Sequence, residues 1–126
     1  VKRLLLDTNV VIWLLTGERE AISDGALEHL TDESNALSVS AVSPWEIATK
    51  RSLGRLELGS NWFRSLLRLD FEHMPITAEH AARCEALPWH HRDPFDRMLV
   101  AQAISERHTI VSADRRLGAY EVEVLW

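Results

Sequence analysis

The chain has 126 residues, 46% hydrophobic and 26% charged, with only five Gly and four Pro. That is the composition of one packed domain over residues 1–126, not of a disordered or fibrous chain. A single cysteine, Cys84, excludes an internal disulfide and any multi-cysteine metal site. No apolar run approaches the ~20 residues of a membrane span, so a cytoplasmic protein without membrane contact is expected. Nineteen acids against 14 bases give a net charge of −5, which argues against the basic stripe of a simple nucleic-acid module.

In chain order, residues 4–6 are an apolar Leu run ended by Asp7, Thr8 and Asn9, which predicts a buried strand passing into a helix. Residues 10–15 continue that helix and Gly17 closes it. Ser23 or Asp24 caps a second helix through Leu30. Residues 36–42 alternate Leu37, Val39 and Ala41 with Ser38 and Ser40, as a strand does. Ser43-Pro44 opens a third helix to about Leu53, and residues 54–61, with Gly54, Gly59, Ser60 and Asn61, form a loop. Residues 62–69 predict a helix, 73–76 a short strand, and Thr77 caps a helix through Leu87. A loop over 88–94 leads to a buried helix over 95–106. Residues 109–112 form a strand, 114–119 a short helix and 122–126 a last strand. Such alternation implies an α/β fold with a mainly parallel sheet covered on both faces.

The chemistry is carried by acids. Asp7 follows the first strand, Glu46 the second, Asp96 opens the long helix and Asp114 follows Ile110-Val111. All four are expected at strand-to-helix junctions, which gather on the carboxyl edge of a parallel sheet, where such folds bind ligands. Each has a local alternative. Ser43-Pro44-Trp45-Glu46 matches a capping box, Asp93 can cap the long helix with Asp96 favoured by its dipole, and Asp7 and Asp114 can cap the helices they precede. As a set, however, four converging carboxylates repel and need a counter-charge. Hard divalent ions, Mg²⁺ or Mn²⁺, suit oxygen ligands, and one or two of them would support hydrolysis of a phosphodiester. The junctions hold no His or Cys, which favours these ions over zinc. Without the four acids the balance falls to −1, so most of the negative excess is expected in one metal-binding cleft.

The ordered segments Leu4-Leu5-Leu6-Asp7-Thr8-Asn9-Val10, Ser43-Pro44-Trp45-Glu46-Ile47-Ala48, Asp93-Pro94-Phe95-Asp96-Arg97-Met98-Leu99-Val100-Ala101-Gln102-Ala103 and Ile110-Val111-Ser112-Ala113-Asp114 resemble the motifs of PIN-domain ribonucleases, specifically the VapC toxins of toxin–antitoxin pairs. The resemblance spans nearly the whole chain. It implies a PIN-like three-layer α/β/α sandwich, Mg²⁺- or Mn²⁺-dependent endoribonuclease activity, a homodimer, and inhibition by a cognate VapB-like antitoxin. Carried over by position, Asp7, Glu46, Asp96 and Asp114 form the acidic catalytic and metal-binding site. Asp93 is a candidate fifth acid, and Thr8, Asn9 and Ser112 would brace the carboxylates.

Arg97, Arg115, Arg116 and Lys50 lie beside these acids and are candidates to hold RNA phosphates or to pair with the carboxylates. His90-His91 lacks the spacing of a helical metal site and is expected to be solvated loop. The five Trp are expected mostly in the core. The helices over 10–15, 45–53 and 62–69 carry more apolar residues than one buried stripe needs, which suggests a groove for a partner. A catalytically silent PIN-like module is the alternative from the binding class. A phosphatase with Asp7 as nucleophile is disfavoured, because Asn9 stands where its acid would be.

Overall fold

A computed structural model, covering residues 1–126, shows five strands and six α-helices. In chain order these are β1 (Arg3–Leu6), α1 (Thr8–Thr16), α2 (Asp24–Thr31), β2 (Ala36–Ser40), α3 (Val42–Ser52), α4 (Trp62–Arg68), β3 (Glu72–Met74), α5 (Ala78–Arg83), α6 (Pro94–Glu106), β4 (Thr109–Val111) and β5 (Val124–Leu125). All strand pairs are parallel, in the order β3-β2-β1-β4-β5. The most apolar strand, Leu4-Leu5-Leu6, therefore lies in the middle with every residue fully buried.

The pleat divides the core in two, because successive side chains on a strand point to opposite faces. Leu4, Leu6, Val39 and Val111 pack with Val10 and Val11 of α1, Ala26 of α2, Ile47 of α3 and Leu66 of α4. Leu5 and Ile110 pack on the other face against Leu99, Val100, Ala101 and Ala103 of α6. Helices thus cover both sides of the sheet, giving the expected three-layer α/β/α sandwich. The Ser side of β2 is not solvated: Ser40 hydrogen-bonds Gln102 on the middle of α6 and accepts the Val42 amide, which satisfies a hydroxyl that is otherwise fully buried.

The local signals for chain reversal hold. Gly17 ends α1 with φ of 75°, and Ser23 caps α2 by accepting the Ala26 amide. Thr77 caps α5, with the His80 ring taking the reciprocal role of the usual Glu or Gln. The terminal strands are shorter than the sequence suggests: β3 covers Glu72–Met74 and β5 only Val124–Leu125. The expected capping box at Ser43 does not form. Here α3 begins at Val42 after Ala41 with no side-chain cap. Ser43 therefore lies inside the helix, buried, with its hydroxyl 3.1 Å from that of Thr8.

Candidate active site

Three of the four acids emerge where the strands end. Asp7 directly follows β1 and caps α1, its Oδ1 accepting the Val10 amide at 3.1 Å. Glu46 projects from the first turns of α3, just after β2. Asp114 follows β4 and caps a short 3₁₀ turn over Arg115–Ala119 by accepting the Arg116 amide. Asp96 arrives differently from the expectation. Between β3 and α6 the chain passes through α5 and a loop, so Asp96 belongs to no strand-to-helix junction. Packing of α6 on the sheet carries its N-terminus to the carboxyl edge instead.

Ser112 ties the two sides of the site together. Its hydroxyl donates to the Asp7 carboxylate and accepts the Asp114 amide at 3.0 Å, with the side chain buried. Thr8 acts one step further out, joining α1 to the helix that carries Glu46 through its contact with Ser43. Asn9 contributes its backbone amide to Asp7 while its side chain is exposed. Asp93 is the N-cap of α6, accepting the amides of Phe95 and Asp96 through one oxygen, and its charge also bears on Asp96.

His91 was not expected in the site, yet it is at its centre. The ring is buried, with Nε2 3.1 Å from Asp96 Oδ2 and 3.0 Å from Asp114 Oδ2. Its Nδ1 accepts the Asp93 amide at 3.1 Å. That bond assigns the hydrogen of the neutral ring to Nε2, so His91 is a donor shared by two carboxylates rather than a lone pair offered to a metal. Its own amide donates to the Tyr120 hydroxyl, and the neighbouring His90 ring stands edge-on to Tyr120, 5.0 Å between centroids. The signal in the sequence was proximity to Asp93; nothing local distinguishes His91 from His90, which stays exposed.

Arg97 is corrected as a phosphate contact. It is buried, and its guanidinium donates to the carbonyls of Pro88, Cys84 and Leu87, so three of its five N–H groups are taken up by the backbone that it supports. Lys50 pairs with Glu46 one helical turn away, Arg116 forks onto Asp114 with two bonds of 3.0 to 3.1 Å, and Arg115 is exposed.

These environments split the acids electrostatically. Burial, then the charge of Asp93 and, more weakly, of Glu46 and Asp7, pushes Asp96 up to about 7, against the favourable pull of His91. Burial also raises Asp7, opposed chiefly by the Ser112 hydrogen bond. The Arg116 hydrogen bond, helped by its amide and by His91, holds Asp114 down at about 2 despite partial burial. Mutual repulsion between Asp96, Asp93, Glu46 and Asp7 shows that the carboxylates from β1, α3 and α6 share one field. Only Lys50 and Arg116, both on the rim, offset it with permanent charge. A hard divalent cation fits that donor set: the free valences are carboxylate oxygens, and the one imidazole presents a hydrogen. His91, Asp96 and Asp114 have their polar atoms within 4.8 Å of one another.

A doubly wound domain with acids from separate elements converging on the carboxyl edge belongs to the class of α/β folds that bind their ligands there. The PIN domain family model matches residues 4–123. Ribonuclease VapC22 of Mycobacterium tuberculosis (strain ATCC 25618 / H37Rv) is 32% identical over 124 residues, covering 93% of this chain and 91% of that protein. The chain therefore belongs to the PIN-domain family, in its VapC branch. Among solved structures, VapBC2 from Rickettsia felis bound to a DNA fragment from their promoter has a similar chain with a TM-score of 0.72 at 14% identity, covering 97% of this chain and 96% of that one. A toxin–antitoxin complex from Klebsiella pneumoniae gives 0.62 at 22% identity, with 95% and 93% covered. At these identities the likeness is one of fold.

Proposed function

We propose that this protein is a divalent-metal-dependent endoribonuclease, the toxin of a toxin–antitoxin pair. The observation that carries the reading is the convergence of Asp7, Glu46 and Asp96, with His91 joining Asp96 to Asp114, at one edge of the sheet. The kinship with a protein named as a VapC ribonuclease supports RNA as substrate. In this reading Asp7, Asp96 and Asp114 hold one or two Mg²⁺ or Mn²⁺ ions, and Glu46 binds or orients metal or the attacking water. The ion supplies a lowered pKa for water and charge neutralisation at the scissile phosphate. The chain's own part is to hold these groups still. Ser112 fixes the Asp7 carboxylate, His91 spaces Asp96 from Asp114, Arg116 keeps Asp114 ionised, and Lys50 aims Glu46. Lys50 and Arg115 are the phosphate contacts.

The partner is a VapB-like antitoxin, and the active unit is a homodimer. Support comes from the apolar side chains left half exposed just after α3 and on α4, namely Leu53, Phe63 and Leu67, and from the VapBC complexes that share the fold. The test is cleavage of defined RNAs by the antitoxin-free protein in Mg²⁺, Mn²⁺ or EDTA, beside Asp7→Asn and Asp96→Asn. Metal-dependent cutting lost in both variants is expected; folded wild type that never cuts, or variants that cut equally well, would refute the nuclease.

A further inference from the structure

Of the five Trp, Trp13 and Trp62 pack half-buried against the core as expected, whereas Trp45, Trp89 and Trp126 are exposed, Trp89 the most at 74%. It lies two residues before His91, on the loop that leads into the site. Exposure of an indole usually goes with mobility, but here the ring is held. The Arg97 guanidinium lies 3.7 Å from its centroid, and that guanidinium is itself fixed by three carbonyls. Arg97 takes part in none of the six salt bridges, so the electron-rich face of the indole is the only group beside those carbonyls that answers its charge. One face of Trp89 is therefore used, and the rest of the ring is presented to solvent at a set tilt. Beside it, Arg92 lines the same open hollow, exposed and equally absent from the salt bridges.

A fixed planar aromatic with an unpaired cation next to it is the combination that binds one nucleotide of a single strand. The base stacks on the ring, and the phosphate meets the cation. The charge is also in the right place: the carboxylate cleft repels RNA until its ion is bound, so affinity has to come from the flanks. We propose that Trp89 and Arg92 form a nucleotide-binding subsite that docks an unpaired base of the RNA substrate beside the acidic centre. The inference rests on the ribonuclease reading above. Neither residue touches the carboxylates, so both act as positioning residues.

The test uses a short fluorogenic RNA that the wild type cleaves, for wild type, Trp89→Ala, Trp89→Phe and Arg92→Ala, together with the same RNA carrying an abasic site walked along it. Loss of a stacked base predicts a rise in KM of roughly 5- to 100-fold for Trp89→Ala with kcat little changed, and a smaller rise for Trp89→Phe. At one abasic position the wild type falls to the level of Trp89→Ala, and the variant loses nothing more. Arg92→Ala lowers the slope of log KM against log salt by about one. Folding is followed by thermal melting: Trp89→Ala melts cooperatively a few degrees below the wild type, having lost the indole face over Arg97, and Trp89→Phe, which keeps a ring there, melts closer to it. An unchanged KM in Trp89→Ala, or abasic losses that simply add to the variant's at every position, would overturn the subsite while leaving the nuclease standing. Loss of antitoxin or subunit affinity with unchanged KM would reassign the patch to a protein contact and overturn it too. A wild type that cuts no RNA removes the nuclease reading and the subsite together.

Discussion

Replacing Asp96 by Asn separates what the acidic centre costs the fold from what it does. Asn keeps the shape and still accepts a hydrogen bond from His91, but it cannot ionise. Asp96 is held at about 7 against an ordinary value of 3.8, so between those limits the folded protein keeps a proton that the unfolded chain has released. The native state then binds more protons than the unfolded state, and stability falls as pH rises through this window. A rise of about three pH units corresponds to about 4 kcal/mol across the whole window, at 1.36 kcal/mol per unit. Somewhat more than half, about 2.5 kcal/mol, is lost between pH 5 and pH 8. Urea unfolding in EDTA should therefore show wild type losing about that much more from pH 5 to 8 than Asp96→Asn, which keeps only the slope due to Asp7. At pH 8 the variant should be the more stable protein, although the proposed function requires that it not cleave RNA. Saturating Mg²⁺ at pH 8 restores the wild type, by about 2.7 kcal/mol at one hundred times Kd, and leaves the variant nearly unchanged. A stability difference between the two proteins that stays constant from pH 5 to 8 would refute the electrostatic account of the site.

His91→Ala removes the donor shared by Asp96 and Asp114, so Mn²⁺ affinity measured calorimetrically should fall roughly 10- to 100-fold, the usual effect of losing a group that orients metal ligands; unchanged affinity would mean that the carboxylates need no spacer. Ser112→Ala frees the Asp7 carboxylate from its only hydroxyl donor, which should raise the Asp7 pKa further and shift the acidic limb of the cleavage profile to higher pH. An unshifted limb would show that the bond does not bear on activity. Arg97→Ala strands three carbonyls and uncouples the 88–93 loop from α6. Thermal or urea melting should show a loss of about 2–4 kcal/mol, with the salt dependence of RNA binding unaltered; the opposite pattern would return Arg97 to the phosphate-binding set.

Hydrophobic period and turn chemistry make most of the architecture legible in the amino-acid order alone. The Leu4-Leu5-Leu6 run, the Leu37 and Val39 alternation, Gly17 and the capping Ser23 and Thr77 each act over a few residues, so their conformational preferences are written locally. Asp7, Asp93 and Asp114 illustrate the same point from the side of function. Each caps a helix or turn; for Asp7 and Asp114, which directly follow strands, capping by itself delivers the acid to the cleft, whereas Asp93 reaches it only because α6 packs on the sheet. Tertiary packing decided the remainder. Ser43 faces Thr8 instead of capping a helix because α1 and α3 meet there, and the middle of α6 buries Gln102 against Ser40. Arg97 turns inward because the loop's carbonyls need donors once water is excluded. His91 is the sharpest case. Beside His90 it looks like solvated loop, and only the docking of α6 next to β4 brings Asp96 and Asp114, from separate parts of the chain, to either side of one ring nitrogen. Local signals set where backbone conformation changes. Which side chains lose water, and what they must then bond to, depends on elements distant in sequence that reach the same place only when the sheet is assembled.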